Sequence, residues 1–556
     1  MNSSFLRSKL EKLEMKTETC HPLLALSLLL MNNLLALELP VIFADQMILQ
    51  REQPVPIWGT AKAGEQVTIH FADQKKSTIA SDDGKWRIDL DPLKASSQSR
   101  TLTITTPHKD TLTYSDVLVG EVWFAGGQSN MYRPFRMLTS PANDPFYEPV
   151  TEYLRNERDT ANDPLFRQYR ASQVYKPYEA ETIGRGKWSK AIPGEVNEFC
   201  GTAYFFGREL RRELNVPVAL ISCNKGGTII EAWIPPQEYE STQTLKTFYE
   251  RGMVKLKKEV DSWDEETETA RYREALAQRK QALSKGEKVP KKEPKKPENP
   301  LRNPSVPGTL FNGMVHPVAP YGMRGVIWYQ GESNSGNDPK EYRNRLQALI
   351  EGWRSTWGQE KLPFYWCQLA NYKPVTEEPL GDEVHGWVWV QNGQREALQL
   401  PDTGMAVLND IGETTDVHPK NKIDAGKRLS LWALSKVYDR DRVYSGPLYK
   451  EAKVIDHTVL ITFEHSGSGL MVGKKHLMNP TTEAKEPLQR FQICGPDGEW
   501  KWAQAEITAK NTVTVWHEKI PKPLEVRYAW APNPEGANLY NKEGLPTSVF
   551  KTGKLQ

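Results

Sequence analysis

Cysteine is scarce in this chain: Cys20, Cys200, Cys223, Cys367 and Cys494 are all there is in 556 residues. No pair of them has metal-ligand spacing, and so thin a density excludes a disulfide scaffold. Cys223 and Cys367 stand in apolar runs and are expected to be buried thiols. An excess of charge of one sign is also missing. Lys and Arg total 72 against 70 Asp and Glu, so the basic imbalance of a nucleic-acid-binding chain is absent. After the N-terminal segment, no apolar run approaches the roughly 20 residues that a membrane-spanning helix needs. The G-x-S-x-G nucleophile elbow is lacking too. No residue cluster suggests a metal site, and no cofactor is expected.

What is present begins with a leader. The stretch "HPLLALSLLLMNNLLALELP" has an apolar run over 23–31, and Met15 followed by Lys16 supplies a short positive lead. This pattern predicts a signal peptide over 1–36 with cleavage after Ala36, hence a secreted or periplasmic protein. An uncleaved anchor is the alternative, though the run is short for a span.

Length alone predicts about three or four domains. Residues 37–116 alternate apolar and polar residues between Gly-containing turns, as in "PVPIWGTAKAGEQVTIHF" and "GKWRIDLDPL", which predicts a small β-sandwich. From Val117 the pattern becomes continuously apolar in "VLVGEVWFAGG", as a strand buried on both faces would be. Helical and strand patterns then alternate to about residue 440. "VALIS", "GVIWYQ", "PFYWCQLA" and "GMAVLND" are strand-like. Ala203, Phe206, Leu210 and Leu214 mark one helix, ended by Asn215 and Pro217. Tyr342, Leu346, Leu349, Trp353 and Trp357 mark another, with Asp338, Pro339 and Glu341 as a capping box and Gly358 as its stop. "NKIDAGKRLSLWALSKVY" is a third. The expectation is an α/β catalytic domain over 117–440, a parallel sheet flanked by helices. It is interrupted near 255–300 by a Lys/Glu-rich insertion, a solvated helix followed by a Pro/Lys linker. Residues 441–556 return to strand patterns and predict a C-terminal β-sandwich.

In open parallel sheets, sites form at the carboxyl ends of strands. Four loops leave such ends here: "GGQSNM", "NKGGT", "QGESN" and "DIGETTDVHPKNK". They supply the parts for acyl transfer. Ser129 is a nucleophile candidate, His418 a base, and a carboxylate such as Asp416 can orient the imidazole. Backbone N–H groups near Ser129 and Gly227, with an amide side chain such as Gln330 or Asn334, are oxyanion candidates.

These blocks resemble the sialate O-acetylesterase family, SGNH-type carbohydrate acetylesterases. "GEVWFAGGQSNM" resembles its nucleophile block, "NKGGTIIEAWIP" its second, "WYQGESN" its third and "DVHPKNKIDAGKRL" its histidine block. The resemblance extends to "LPVIFADQMILQREQPVPIWG" and "YAWAPNPEGANLYNKEGLP", near the two ends of the chain. It implies an SGNH-hydrolase-like sheet, Ser129 as nucleophile and His418 as base. It also implies Gly226 or Gly227 at the oxyanion, with Gln330, Glu332 and Asn334 shaping the site. Two positions depart from the pattern. Thr415 stands where the broader group has the acid, so Asp416, Asp410, Glu413 or a dyad are the options behind the histidine. Lys225 replaces an aromatic residue before the double glycine, which bears on substrate preference.

The expected reaction is hydrolysis of O-acetyl esters on carbohydrates through an acetyl-serine. The partner is an O-acetylated sugar: a sialoside, an acetylated xylan or another polysaccharide. Two other classes compete. A glycosidase would use Glu332 and Asp416 as an acid pair. A non-catalytic glycan-binding protein would use the Trp-rich β-domains, there being 17 Trp to stack on sugars.

Overall fold

The computed structural model describes residues 37–108, 110–178, 185–290, 292–379, 381 and 385–555, and the expected leader over 1–36 lies outside them. Alternation in the sequence becomes sidedness in the N-terminal region. In Lys85–Leu90 the inward residues are Trp86, Ile88 and Leu90, and this strand pairs antiparallel with Val55–Thr60. Gln66–Phe71 pairs with Gln74–Ile79 and Ser96–Thr105.

The next strand, β1 (Thr111–Gly127), is 17 residues long and belongs to two structures at once. Its first part alternates in burial and pairs antiparallel with Ser96–Thr105. Ile48–Gln50 adds parallel pairs over Leu118–Gly120. From Val117 every residue is buried, and Glu121–Gly127 enters the central sheet. The change from period two to a continuous apolar run is therefore a change of surroundings within one unbroken strand.

The central sheet adds β2 (Asp163–Ala171), β3 (Gly186–Ala191), β4 (Val218–Asn224), β5 (Gly325–Tyr329), β6 (Phe364–Cys367) and β7 (Thr403–Ala406). Their order is β7-β6-β5-β1-β4-β2-β3. All neighbours are parallel except β2 and β3 at one edge. Among the described residues seven helices of eleven or more residues accompany the sheet: α1 (Glu148–Thr160), α2 (Gly201–Leu214), α3 (Gln243–Ser262), α4 (Glu265–Ser284), α5 (Tyr342–Trp357), α6 (Gly386–Glu396) and α7 (Lys422–Lys436). Successive residues of a strand face opposite sides. Trp123 of β1 packs on Phe206 of α2, and Phe124 packs on Trp353 of α5, so these two helices cover opposite faces. Helix α7 crosses α2 closely enough that a Cβ on Gly426 would meet Phe205 Cβ at 2.6 Å. No helix among the described residues is long and apolar enough to cross a membrane.

Helix ends follow the expected signals with one exception. Asn215 closes α2 and Gly358 closes α5, both in the left-handed conformation. Asp338 does not cap α5. It sits at φ 46 before a 3-10 turn and makes no side-chain cap, while Glu341 accepts instead from Asn344 Nδ2 (2.9 Å). Pro339 starts the 3-10 turn rather than the α-helix, so the capping box is displaced by one tight turn.

The Lys/Glu-rich insertion is more helical than expected. Helix α3 already begins at Gln243, and its Leu256 and Val260 join Leu301 and Val306 in a small satellite core. Helix α4 buries no residue, as a solvated helix should. After Ser445 the chain forms antiparallel sheets. One runs Leu448–Ile455, Thr458–Glu464, Thr512–Trp516 and Gln504–Ala509; another runs Trp500–Trp502, Phe491–Cys494, Glu525–Tyr528 and Phe550–Lys551. Val459, Ile461, Phe491, Ile493, Val513 and Phe550 fill the core between them. Gln368 Nε2 donates to Ser548 Oγ (2.9 Å) and Asn409 Nδ2 to the Thr547 carbonyl (2.9 Å), tying these sheets to the ends of β6 and β7.

Candidate active site

The two glycines that end β1 permit a close approach to β5. A Cβ on Gly126 would stand 2.9 Å from the Trp328 ring. Gly127 has φ 140, and a Cβ there would lie 2.2 Å from the Tyr329 carbonyl oxygen, a place only glycine fits. Beyond them the Gln128 N–H donates to that carbonyl (3.0 Å) and the chain turns into one helical turn, Ser129–Tyr132. Ser129 is half-buried between the buried Gln128 and Asn130. As the first residue of a helical turn it has a backbone N–H without an intrahelical acceptor. Gly226, after β4, faces it: a Cβ there would contact Ser129 Cβ at 3.4 Å. Gly227 follows at φ 72.

Asn130 ties its own turn to two loops and two helices. Its Nδ2 donates to Glu332 Oε1 (2.5 Å) and to the Val417 carbonyl (3.0 Å). Its Oδ1 accepts from Lys422 Nζ (2.5 Å), and its carbonyl accepts from Thr202 Oγ1 (3.0 Å). The bond to Val417 sets the histidine loop beside the Ser129 turn. Gln128, with its amide nitrogen placed as the surroundings require, donates to Glu332 Oε2 (3.1 Å) and the Thr228 carbonyl (3.3 Å).

His418 is held by its own loop. Asp416 Oδ1 accepts from the His418 N–H (2.9 Å) and lies 3.2 Å from its Nδ1. Asn143 Nδ2 donates to the other Asp416 oxygen (3.1 Å). Of the three acids considered, Asp416 is the one in contact with the imidazole. Asp410 is forked onto Arg428 at 2.6 and 2.8 Å. Glu413 accepts from the Lys420 N–H (2.5 Å). Among the described residues no hydrogen bond joins Ser129 Oγ to His418. Such bonds often tighten only around substrate.

Gln330, Glu332 and Asn334 lie under the loops as supports. Gln330 Nε2 donates to the Thr228 carbonyl (3.1 Å) and Asn334 Oδ1 (2.7 Å), and its Oε1 accepts from Tyr342 (2.8 Å). Asn334 Oδ1 also accepts from the Ile230 N–H (3.0 Å), and its Nδ2 donates to Glu231 Oε2 (2.9 Å). Both residues are fully buried. The amides offered as oxyanion candidates are both hydrogen-bonded here, and their polar atoms clamp β4's loop to β5's. The Ser129 N–H and the Gly226–Gly227 turn remain as candidate donors to an oxyanion.

The electrostatics are uneven. The His418 hydrogen bond holds the Asp416 carboxyl down to about 2 despite partial burial. Burial raises Glu332, with Asn130, Lys422 and His418 opposing the rise. Burial also raises Glu413, and nearby Asp416 adds to it. Burial and the Arg133 charge hold the Lys422 ammonium down to about 7. The thiols of Cys200, Cys223 and Cys367 are buried and pushed up by desolvation, which disfavours a reactive thiolate at these three positions.

Two site residues were not anticipated. Arg133 Nη2 lies 2.9 Å from His418 Nδ1. Its signal was present, since it stands four residues after Ser129 and so one helical turn away. Lys422 had no such signal. It begins α7, and only the fold buries it against Asn130 and the Tyr329 ring.

Residues 305–430 match the family model described as carbohydrate esterase, sialic acid-specific acetylesterase. The sialate O-acetylesterase of Rattus norvegicus is 26% identical over 549 residues, covering 91% of this chain and 92% of that protein. That of Homo sapiens is 26% identical over 557 residues, covering 91% and 90%. A crystal structure of a carbohydrate acetylesterase from Xanthomonas citri superposes with a TM-score of 0.72 at 31% identity, covering 93% of this chain and 99% of that one.

Proposed function

The chain belongs to the sialate O-acetylesterase family of carbohydrate acetylesterases and is a carboxylic ester hydrolase; from that premise we propose that it releases acetate from O-acetylated sugars, sialic acids first among them, through an acetyl-Ser129 intermediate. The observation that carries the proposal is the convergence at one rim of Ser129 after β1, the Gly226–Gly227 turn after β4 and an Asp416–His418 pair after β7.

Ser129 Oγ attacks the acetyl carbonyl carbon while its proton passes to His418 Nε2. Asp416 holds the Nδ1–H tautomer and stabilises the imidazolium. The Ser129 and Gly226–Gly227 N–H groups receive the oxyanion, and loss of one such donor costs about 100- to 1000-fold in rate. The bond between the acetyl carbon and the sugar oxygen breaks, and Nε2 returns its proton to that oxygen. Water then attacks the acetyl-serine carbonyl as Nε2 takes one of its protons; the bond between the acetyl carbon and Ser129 Oγ breaks, Nε2 gives that proton to Oγ, and acetic acid leaves and ionises to acetate.

The leader over 1–36 goes with this proposal: it would deliver the enzyme to a secreted or periplasmic glycan. The flanking β-regions, 37–116 and 441–556, would frame the catalytic region, 117–440. A glycosidase has less support, because Asp416 is engaged by His418 and Glu332 by Asn130 and Gln128.

The test is acetate release by wild type and Ser129→Ala from acetylated sialosides, xylans, algal polysaccharides and 4-nitrophenyl acetate. A Ser129→Ala protein with wild-type turnover refutes the acetyl-serine. Shortened glycan without acetate would point to glycosidase chemistry.

A further inference from the structure

Arg133 is the charged side chain that this scheme leaves without a task. Its backbone is pinned: the N–H donates to the Ser129 carbonyl (3.0 Å), and the carbonyl accepts from the Gly201 N–H (3.0 Å). Only the side chain is free to relocate. Among the described residues no carboxylate lies within ion-pairing distance of the half-buried guanidinium. The other cations at this rim are already engaged. Lys420 Nζ donates to the carbonyls of Leu138 (3.1 Å) and Ser140 (2.8 Å). Lys422 Nζ donates to Asn130.

The polar contact of the guanidinium is with His418 Nδ1 at 2.9 Å, the same nitrogen that Asp416 Oδ1 approaches at 3.2 Å. One nitrogen cannot satisfy both. A guanidinium donates and never accepts, so its contact requires an unprotonated Nδ1, and a neutral ring then carries its proton on Nε2. A base for Ser129 needs the opposite tautomer, with Nδ1–H given to Asp416. A partly buried arginine that rests on this nitrogen, with the Asp416 charge nearby but no carboxylate among the described residues at ion-pairing distance, offers a site for an anion.

We propose that Arg133 is a specificity switch: a carboxylate on the acetylated sugar draws the guanidinium off His418 Nδ1, and the imidazole then turns its Nδ1–H to Asp416 with Nε2 free to accept the Ser129 proton. One proton leaves Nε2 for water and one arrives at Nδ1, so none is consumed. The switch rests on the reading of Ser129 and His418 as nucleophile and base, and it selects sugar acids over neutral acetylated sugars by controlling the base.

The experiment compares kcat and KM for acetate release from an O-acetylated sugar acid and its carboxamide counterpart. The wild type is expected to favour the acid in kcat/KM by on the order of 10- to 100-fold. Arg133→Gln is expected to lose that preference from both sides, with KM rising on the acid and kcat rising on the carboxamide. Arg133→Lys keeps part of it. In parallel, ¹⁵N-histidine spectra follow the His418 tautomer, its resonance assigned by its loss in His418→Gln. The wild type should show Nε2–H alone and Nδ1–H with the deacetylated sugar acid, and Arg133→Gln should show Nδ1–H without it. A preference retained in Arg133→Gln, an equal loss on both substrates, or a tautomer that ignores the sugar acid overturns the switch. If the wild type releases acetate from neither substrate, the esterase proposal fails and the switch falls with it. A tautomer response without turnover would locate that failure in the chemistry rather than in anion recognition.

Discussion

Strand β1 has a charged cluster at each end of its buried half, and the two are built on different terms. At the amino end Glu121 is fully buried. Its carboxylate accepts from Arg51 Nε (2.5 Å), Arg324 Nε (2.9 Å), the Tyr438 hydroxyl (2.9 Å) and Gln50 Nε2 (3.2 Å). Each oxygen is met by an arginine, and Tyr438 is fixed in turn by the Trp123 indole (2.9 Å). At the carboxyl end, seven residues of extended chain away, partners are shared or missing. Among the described residues Lys422 is buried without a carboxylate at ion-pairing distance, Arg133 and Asp416 contend for one nitrogen, and Ser129 Oγ has no hydrogen bond to His418. The first cluster has one arrangement and serves the fold. The second has at least two and is suited to a reaction in which protons move.

Four substitutions test that contrast, in falling order of expected effect. Ser129→Ala should lower acetate release by about 10⁴-fold or more while leaving stability within about 0.5 kcal/mol, read by turnover and denaturant unfolding. Asp416→Asn should lower kcat by about 10²- to 10⁴-fold through loss of the productive tautomer. Asp410→Asn should spare kcat per folded molecule and lose stability at the Arg428 fork; the reverse pattern would move the orienting role to Asp410. Glu121→Ala leaves two arginines facing an empty carboxylate site and should cost about 3–5 kcal/mol in unfolding free energy, with per-molecule turnover close to wild type. A large loss of turnover there would erase the division between the two ends.

The smallest effect is one of pH. Burial and Arg133 hold Lys422 to about 7, below its ordinary 10.5. Between those values the unfolded chain keeps a proton that the folded one has released, so stability rises with pH in that window. Wild type should therefore gain on Lys422→Met as unfolding is measured from pH 6 to pH 9. A gap that stays flat over that range would show that Lys422 remains charged in its buried place.

What the sequence revealed and what it hid follow from how each element is stabilised. Strands β1, β4 and β5 are continuous apolar runs, and α5 has a regular stripe of Tyr342, Leu346, Leu349, Trp353 and Trp357, all buried. Their patterns state their surroundings. Strand β2 was hidden because its "DPLFRQYRA" includes Arg167 and Gln168, both buried. Arg167 is accommodated by Asp116 and two carbonyls distant in sequence. Helix α6 begins "GWVWVQ", which alternates like a strand. Its helical form comes from tertiary partners such as Gln391 and Gln394, whose amides donate to carbonyls around β6. The nucleophile loop and histidine loop were legible as blocks. The partner behind the histidine was not, because Asp410, Glu413 and Asp416 differ only in which way the loop turns.

The unbroken length of β1 has a mechanical meaning. A strand that begins in the N-terminal sheet and ends at Gly127 offers no hinge between that sheet and the nucleophile. The two turn together as a beam and its tip. Cutting the chain before Val117 would not release an independent catalytic unit. It would strip Leu118 and Val119 of their parallel pairing with Ile48 and Leu49, leave that edge open to other chains, and unmoor the far end of the rod on which Ser129 is mounted.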